Sequence, residues 1–438
     1  MVHLNKEEAN VIGGGLAGVE AAWQLAQRGV RVKLWEMRPR VLTPAHRTGY
    51  LAELVCSNSL RSNELNTGPG LLKEEMRRLG SLIIICADAH PVPAGGALAV
   101  DRERFARAVT ERIAKQPLIE LVQKEVTEID PAKPTVIATG PLTSPSLVEH
   151  LKGLTGEEYL SFYDAAAPIV TAASLNHDRI FRASRYAKGE PAYLNCPMNE
   201  AEYRLFYEAL IKAERHRGQD WEELKYFEGC IPVEVLAERG FDTLRYGPMK
   251  PVGLKDPRTG QSFFAVVQLR QDNQEGTLYN LVGFQTQLKW PDQARVFRLI
   301  PGLEEAEFVR YGVIHRNSYI KSPLVLLPTL QMRRFPKVFW AGQLTGVEGY
   351  IESASTGLVA GLNLARLLQG QQPLIFPPET AHGALCHYIT TAIPSSFQPM
   401  NIAFGLFPPL SERIRDRRQR NYKLAERALQ TLDNYVNF

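Results

Sequence analysis

At 438 residues the chain is longer than one hydrophobic core comfortably accommodates, so two domains are expected. A hydrophobic content of 45%, a charged content of 22% and a net charge of +4 are those of an ordinary soluble globular protein and do not by themselves point to nucleic acid. No run approaches the roughly 20 apolar residues of a membrane span, residues 1–8 do not read as a signal peptide, and five scattered cysteines without a C-x-x-C pair argue against a disulfide framework and against a metal site. A cytoplasmic location with no membrane partner is therefore expected.

The first element is the apolar run Val11-Ile12, which ends in Gly13, Gly14 and Gly15 and restarts through Leu16, Ala17 and Gly18 as a helix-period pattern. Glycines at 13, 15 and 18 have the spacing of a dinucleotide fingerprint: one for the turn, one for close approach of a pyrophosphate, one for helix against strand. The phosphates would rest on the helix N-terminus. An alternating second strand, residues 30–36, ends at Glu36, where a ribose-binding carboxylate is expected.

Residues 38–66 are polar and turn-rich, and contain Cys56-Ser57-Asn58-Ser59-Leu60-Arg61-Ser62 in a loop position that tends to face a ligand crevice. Helical spacing runs from Gly70 to Leu82, a short strand covers residues 97–100, and Asp101 reads as the N-cap of a helix through Phe105, Val109 and Ile113, without a capping box. A buried-type strand, residues 134–138, ends in Thr139-Gly140, which returns the chain to the cofactor side.

From about residue 142 to 322 tyrosines, charged helices such as residues 200–215, and alternating runs at 263–269 and 278–284 predict an α+β insertion. Residues 337–343 then resume the strand-into-glycine pattern and lead into a long helix, residues 352–368, whose N-terminal dipole would face the cofactor ring system. The expected fold is α/β: a split Rossmann-like FAD-binding domain of the glutathione-reductase type, residues 1–144 and 323–438, interrupted by an insertion domain, residues 145–322. With one full fingerprint, the chain should hold one dinucleotide tightly, FAD, and meet NADH or NADPH only transiently. Near the C-terminus Arg413, Arg415, Arg417, Arg418, Arg420, Lys423 and Arg427 face only Glu412, Asp416 and Glu426, a charge excess suited to phosphate.

Several long blocks resemble the folate- and FAD-dependent tRNA uracil-5-methyltransferases of bacteria. They include residues 56–62, 95–102, 138–144, 195–198, 247–254, 282–286 and 310–317, and they close with Ala341-Gly342-Gln343-Leu344-Thr345-Gly346-Val347-Glu348-Gly349-Tyr350. The resemblance runs nearly end to end. It implies methylation of the T-loop uridine of tRNA at C5, with the carbon from 5,10-methylenetetrahydrofolate and reducing equivalents from NAD(P)H through FAD. It also implies that Thr139, Gly140, Gly342, Gln343, Gly346, Glu348, Gly349 and Tyr350 join residues 13–18 and Glu36 around the flavin. The alternatives are the larger FAD protein that modifies the wobble uridine, which carries a Cys-Asn-Pro block and a longer C-terminus, and a small-substrate NAD(P)H flavin oxidoreductase.

Uracil C5 is a poor nucleophile until a group adds at C6, and a thiolate suits that addition. Two cysteines lie in blocks matching the family's motifs. Cys230 would attack C6, and Cys56 would act as a base or second thiol near the flavin. Cys86 and Cys386 are expected to be inert core residues, and Cys196 is left open. His315, Arg316 and Asn317 would contact folate or substrate. Lys250 and Arg270 are weaker candidates for the folate glutamate or a tRNA phosphate, and Tyr319 and Tyr350 for stacking on an unpaired base.

Overall fold

The structure, a computed structural model, describes residues 8–43, 45–156, 160–165, 167–187, 189–216, 231–312 and 314–435. Strand β1 (Glu8–Ile12), helix α1 (Leu16–Gln27) and strand β2 (Arg31–Glu36) form the opening unit, as the glycine spacing predicts. Strand β3 (Ser59–Ser62), helices α2 (Gly68–Arg78) and α3 (Leu82–Ala89), strands β4 (Pro91–Val92) and β5 (Ala97–Val100), helix α4 (Arg102–Ala114) and strands β6 (Ile119–Gln123) and β7 (Thr135–Ile137) follow. The helical stretch expected to run from Gly70 to Leu82 stops at Arg78. Gly80 takes a left-handed φ of 70°, and Ser81 begins a new helix by accepting a hydrogen bond from the Ile84 amide. Asp101 caps α4 by accepting from the Arg104 amide at 2.9 Å.

The central sheet has five parallel strands, in the order Val338–Trp340, β7, β1, β2, β6. Parallel strands are covered on both faces and so read as apolar runs; Val11, Val136 and Phe339 are fully buried. The edge strand comes from the far side of the insertion. So does the helix that covers α1, Tyr350–Leu368, and its contact depends on small residues. A Cβ on Gly357 would stand 2.1 Å from the Ala17 carbonyl oxygen, and one on Gly361 2.5 Å from that of Ala21. Helix Pro145–Thr155 packs Leu147 and Leu151 against Ile12, Ile137 and Trp340 of the same sheet.

The middle of the chain builds a different layer, a six-stranded antiparallel sheet in the order Phe181–Ala183, Tyr193–Met198, Ala265–Gln271, Leu278–Leu281, Ile169–Thr171, Phe308–Arg310. Its own core contains Phe206, Phe284 and Phe297, away from the core around α1. Helix Glu200–Lys212 lies on it, started by a capping box in which Asn199 and Glu202 satisfy each other's backbone N–H groups. The final helix, Arg417–Tyr435, buries Leu424, Ala428 and Leu432 at four-residue spacing and leaves Arg417, Arg418 and Arg420 exposed. Among the described residues no helix is long and apolar enough to cross a membrane.

Candidate functional site

The site begins where β1 stops. Gly13 turns the chain with a φ of 104°, and a Cβ there would lie 2.5 Å from the Ala138 carbonyl oxygen. A Cβ on Gly18 would lie 1.7 Å from the Gly13 carbonyl oxygen, so α1 could not come this close to the turn with any other residue. Gly15 differs: nothing stands within 4 Å of the position its Cβ would take. It also precedes α1 as an N-cap with no side-chain partner. An open space before an uncapped helix N-terminus suits an anionic phosphate pair.

A cleft opens from this point, lined by Gly13 to Ala17, Glu36, Thr139, Gly140, Gly342, Gln343 and Tyr350. Glu36 is nearly buried. Its carboxylate accepts the Gly14 amide at 2.8 Å and bonds from the Arg38 amide and guanidinium at 3.0–3.1 Å. Burial opposes the charge, but these donors and the Arg38 cation hold the group below the usual carboxylate range. On the opposite side the long helix Tyr350–Leu368 starts without a side-chain cap and presents Tyr350 and Ser353 to the cleft.

Gly346, Glu348 and Gly349 stand behind that wall. Gly346, at φ 81°, leaves room for the Phe397 ring; Glu348 accepts from Gln343 Nε2 at 2.6 Å and so orients a residue that does line the cleft; Gly349, at φ 114°, makes way for the Glu352 carboxylate. Sequence reasoning missed Arg38, and also Lys124 to Val126, which line the cleft just beyond β6. The signal for the latter was their place at the carboxyl end of a parallel strand.

Cys56 sits in a loop beside Val55 and Tyr350, both of which line the cleft. The Tyr350 hydroxyl accepts from the Cys56 amide at 2.7 Å and the Ser57 amide at 3.2 Å. Arg102, from α4, donates to the carbonyls of Leu54 (2.7 Å) and Cys56 (3.2 Å) while paired with Asp272 at 2.9 Å. Arg310, from the antiparallel sheet, donates to the Val55 carbonyl. The half-buried thiol is thus carried on a backbone clamped by the starts of two helices and by the antiparallel sheet.

These features meet in a chain with close relatives. A family model described as glucose inhibited division protein A matches residues 8–372. The chain is 63% identical over 425 residues to the methylenetetrahydrofolate–tRNA-(uracil-5-)-methyltransferase TrmFO of Pelotomaculum thermopropionicum, covering 97% of each. It is 64% identical over 428 residues to TrmFO of Moorella thermoacetica, covering 98% of each. The chain belongs to the TrmFO family. Among solved structures, that of Aquifex aeolicus GidA is similar with a TM-score of 0.71 at 16% identity, covering 99% of this chain and 74% of that one, and supports the α/β fold with an inserted domain.

Within this TrmFO family member the remaining expected residues fall in three groups. Cys230 lies outside the described residues. His315, Arg316 and Asn317 lie on strand Ile314–Tyr319, paired with Leu160–Ala165. That strand reaches the cleft where the Ser318 amide donates to the Pro141 carbonyl at 3.2 Å; the side chains of residues 315–317 lie outside the described part of the structure. The third group is already committed elsewhere. Arg270 is buried and donates to Asn58 Oδ1 at 2.9 Å and Ser57 Oγ at 2.7 Å, so it holds the Cys56 loop and is not free for a phosphate. Tyr319 is buried edge-on against Phe397 and offers no free stacking platform, whereas Tyr350, its hydroxyl held by the loop, lines the cleft. Lys250 is not of this group: it is half-buried, and what is engaged is its backbone, the carbonyl accepting from Arg185 at 2.9 Å. Burial raises the thiols of Cys86 to about 11 and Cys386 to about 12, and raises Cys196 further, which makes all three poor nucleophiles.

Asn58 is the keystone of the loop. Fully buried, it donates to the carbonyls of Val100 (3.1 Å) and Gln271 (2.9 Å) while accepting from Arg270. Asn58→Ala should cost about 3 kcal/mol, because it leaves the buried Nε of Arg270 and two carbonyls without these partners at once. Calorimetry checks this: a melting temperature equal to that of the unchanged protein would mean that water replaces all three bonds.

Proposed function

We propose that this chain methylates C5 of the T-loop uridine of tRNA, taking the carbon from 5,10-methylenetetrahydrofolate, and that NADH or NADPH serves as the ultimate reductant. The observation that carries it is the clamped Cys56 loop at the mouth of a dinucleotide cleft, in a chain that resembles enzymes of this name along their whole length. The residues fit FAD: the space at Gly15 and the uncapped start of α1 suit its pyrophosphate, and Glu36 stands where a ribose hydroxyl would donate. Bound there, FAD would supply the two electrons that separate a methylene from a methyl group. The division into residues 1–144 with 323–438, and 145–322, is proposed as the boundary between cofactor grip and substrate platform, with helix Pro145–Thr155 lying on the cofactor-side sheet.

The protein's own groups divide the rest. The Cys230 thiolate adds to uracil C6, which makes C5 nucleophilic toward the methylene carbon. Cys56 then takes the C5 proton or serves as a second thiol. As the carbon passes to C5, both of its bonds to folate nitrogen break and the two electrons that bound FAD would supply complete the methyl group; expulsion of the Cys230 thiolate restores the C5–C6 double bond. His315, Arg316 and Asn317 are proposed to contact the pterin or the base.

With carbon-labelled methylenetetrahydrofolate and unmodified tRNA, label should enter 5-methyluridine in the T-loop; labelled S-adenosylmethionine should give none. An unmodified T-loop alongside an altered wobble uridine would transfer the assignment to the larger wobble-modifying relative. NAD in place of FAD in the purified protein would favour a dehydrogenase.

A further inference from the structure

The basic C-terminal segment is not spread over a convex surface. Together with residues 66–69 and 402–410 it encloses a groove of about 970 Å³ at the start of the final helix. Arg413, Arg415, Arg417 and Arg420 line it, all exposed. None of the four has a carboxylate partner among the described residues. Two basic residues further along the final helix are spent differently: Lys423 pairs with Glu426 at 2.9 Å, and Arg427 donates to the carbonyls of Pro408 and Pro409. Among the described residues of the lining, Glu412 is the one carboxylate.

A second source of positive potential shares the groove. Helix α2 starts in its wall, with Thr67 as N-cap and Gly68 so close to the Ile402 carbonyl that a Cβ would stand 2.7 Å from it. The start of the final helix, Arg417 to Leu424, also lines the groove. Two helix N-termini and four guanidinium groups without carboxylate partners among the described residues therefore face one concave space.

The groove is joined to the site through one buried carboxylate. Glu352, in the first turn of the helix that presents Tyr350, accepts from the Ile402 amide at 3.1 Å on the groove side and from Arg61 at 3.0 Å on the loop side. Asn421 of the final helix closes the wall by donating to the Asn66 carbonyl at 2.9 Å.

We propose that this groove docks the sugar–phosphate backbone of the RNA stem that carries the reacting uridine, so that the stem is gripped one layer behind the cleft. The proposal rests on the function proposed above and adds the surface that function uses. Guanidinium forks match phosphate oxygens in pairs, and a ribbon of phosphates can enter a recess that a flat anionic membrane cannot. Contacts of this kind position the RNA and carry no sequence information, which leaves recognition of the base to the cleft.

The test uses the flavin-loaded full chain and a hairpin RNA with a T-arm sequence. Replacing Arg413, Arg415, Arg417 and Arg420 together with alanine should weaken hairpin binding about tenfold or more at low salt. The slope of log affinity against log salt should flatten by about three, close to one unit for each phosphate that is no longer neutralised. Replacing four exposed arginines elsewhere, Arg107, Arg204, Arg239 and Arg295, removes the same charge and should leave the slope within error. Flavin absorbance and melting temperature establish that each variant is folded. On the unaltered protein, the hairpin should slow phenylglyoxal modification of the four groove arginines, which needs no variant.

An unchanged slope with unprotected arginines would overturn the groove, as would equal losses in both quadruple variants. Either result, with an unaltered enzyme that still methylates the hairpin, leaves the functional assignment standing. An unaltered enzyme that neither binds nor methylates the hairpin overturns that assignment first.

Discussion

Gly18→Ala should give protein purified without flavin colour and with a lowered melting temperature. The added methyl would lie 1.7 Å from the Gly13 carbonyl oxygen, and both partners are backbone, so neither can swing aside as a side-chain tip would. Relief requires α1 to move off the turn. That would disturb its packing on the long helix at Gly357 and Gly361, at a cost of about 3 kcal/mol or more. Gly15→Ala is the matching contrast. Its methyl meets nothing within 4 Å and its φ is ordinary, so the fold should hold. The methyl would instead occupy space left for the pyrophosphate and should weaken FAD binding about tenfold or more, ~1.4 kcal/mol. Flavin titration and thermal denaturation of both variants separate a turn that holds the fold from one that receives the ligand. Full flavin content in Gly18→Ala would show that the close approach is dispensable.

The second large effect concerns the two thiols. Cys230→Ser should lower product formation by about 1,000-fold or more, because a neutral hydroxyl does not replace a thiolate in addition to C6. It should also abolish the covalent complex with RNA containing 5-fluorouridine, in which C5 cannot lose its substituent and the adduct accumulates. Flavin content should be unchanged, since the described lining of the cleft comes from other segments of the chain. Cys56→Ser should leave flavin and adduct in place and slow turnover by about 100-fold or more if the thiol removes the C5 proton. The reverse pattern, adduct in Cys230→Ser and none in Cys56→Ser, would exchange the two roles. Gel shift of the fluorinated RNA and labelled-carbon incorporation read both.

How far the sequence disclosed this molecule depended on the distance over which each requirement acts. The β1–turn–α1 unit was legible because what Gly13 and Gly18 must satisfy lies within five residues or in the adjoining strand. The change of character after about residue 142 was legible in its tyrosines, charged helices and alternating runs, which pointed to an α+β insertion without fixing its strand order. The break at Gly80 was missed because a helical period on both sides concealed a single left-handed residue. At the site, the cleft's glycines and Glu36 followed from spacing, whereas Arg270 was misread. Its partners Ser57 and Asn58 lie more than 200 positions away, and a lone arginine does not announce whether it will meet a ligand or the protein itself. Gly346 and Gly349 illustrate the same limit. A motif marks them as needed without saying that one makes room for Phe397 and the other for Glu352.

The edge strand Val338–Trp340 has a consequence for how the chain is made. Its neighbour β7 leaves the ribosome about 200 residues earlier, and at roughly 5–20 residues per second that is an interval of about 10–40 s. Through that time the backbone edge of β7 lacks its partner, and the face of α1 shaped around Gly357 and Gly361 lacks its cover. The nascent chain thus displays an apolar, half-built sheet while the antiparallel unit is still emerging, which is the kind of surface that chaperones hold and that aggregates. A stall or truncation within the antiparallel unit would release a chain that carries only the first part of its cofactor domain and cannot close it, and such products should be found with holding chaperones or in inclusion bodies, free of flavin.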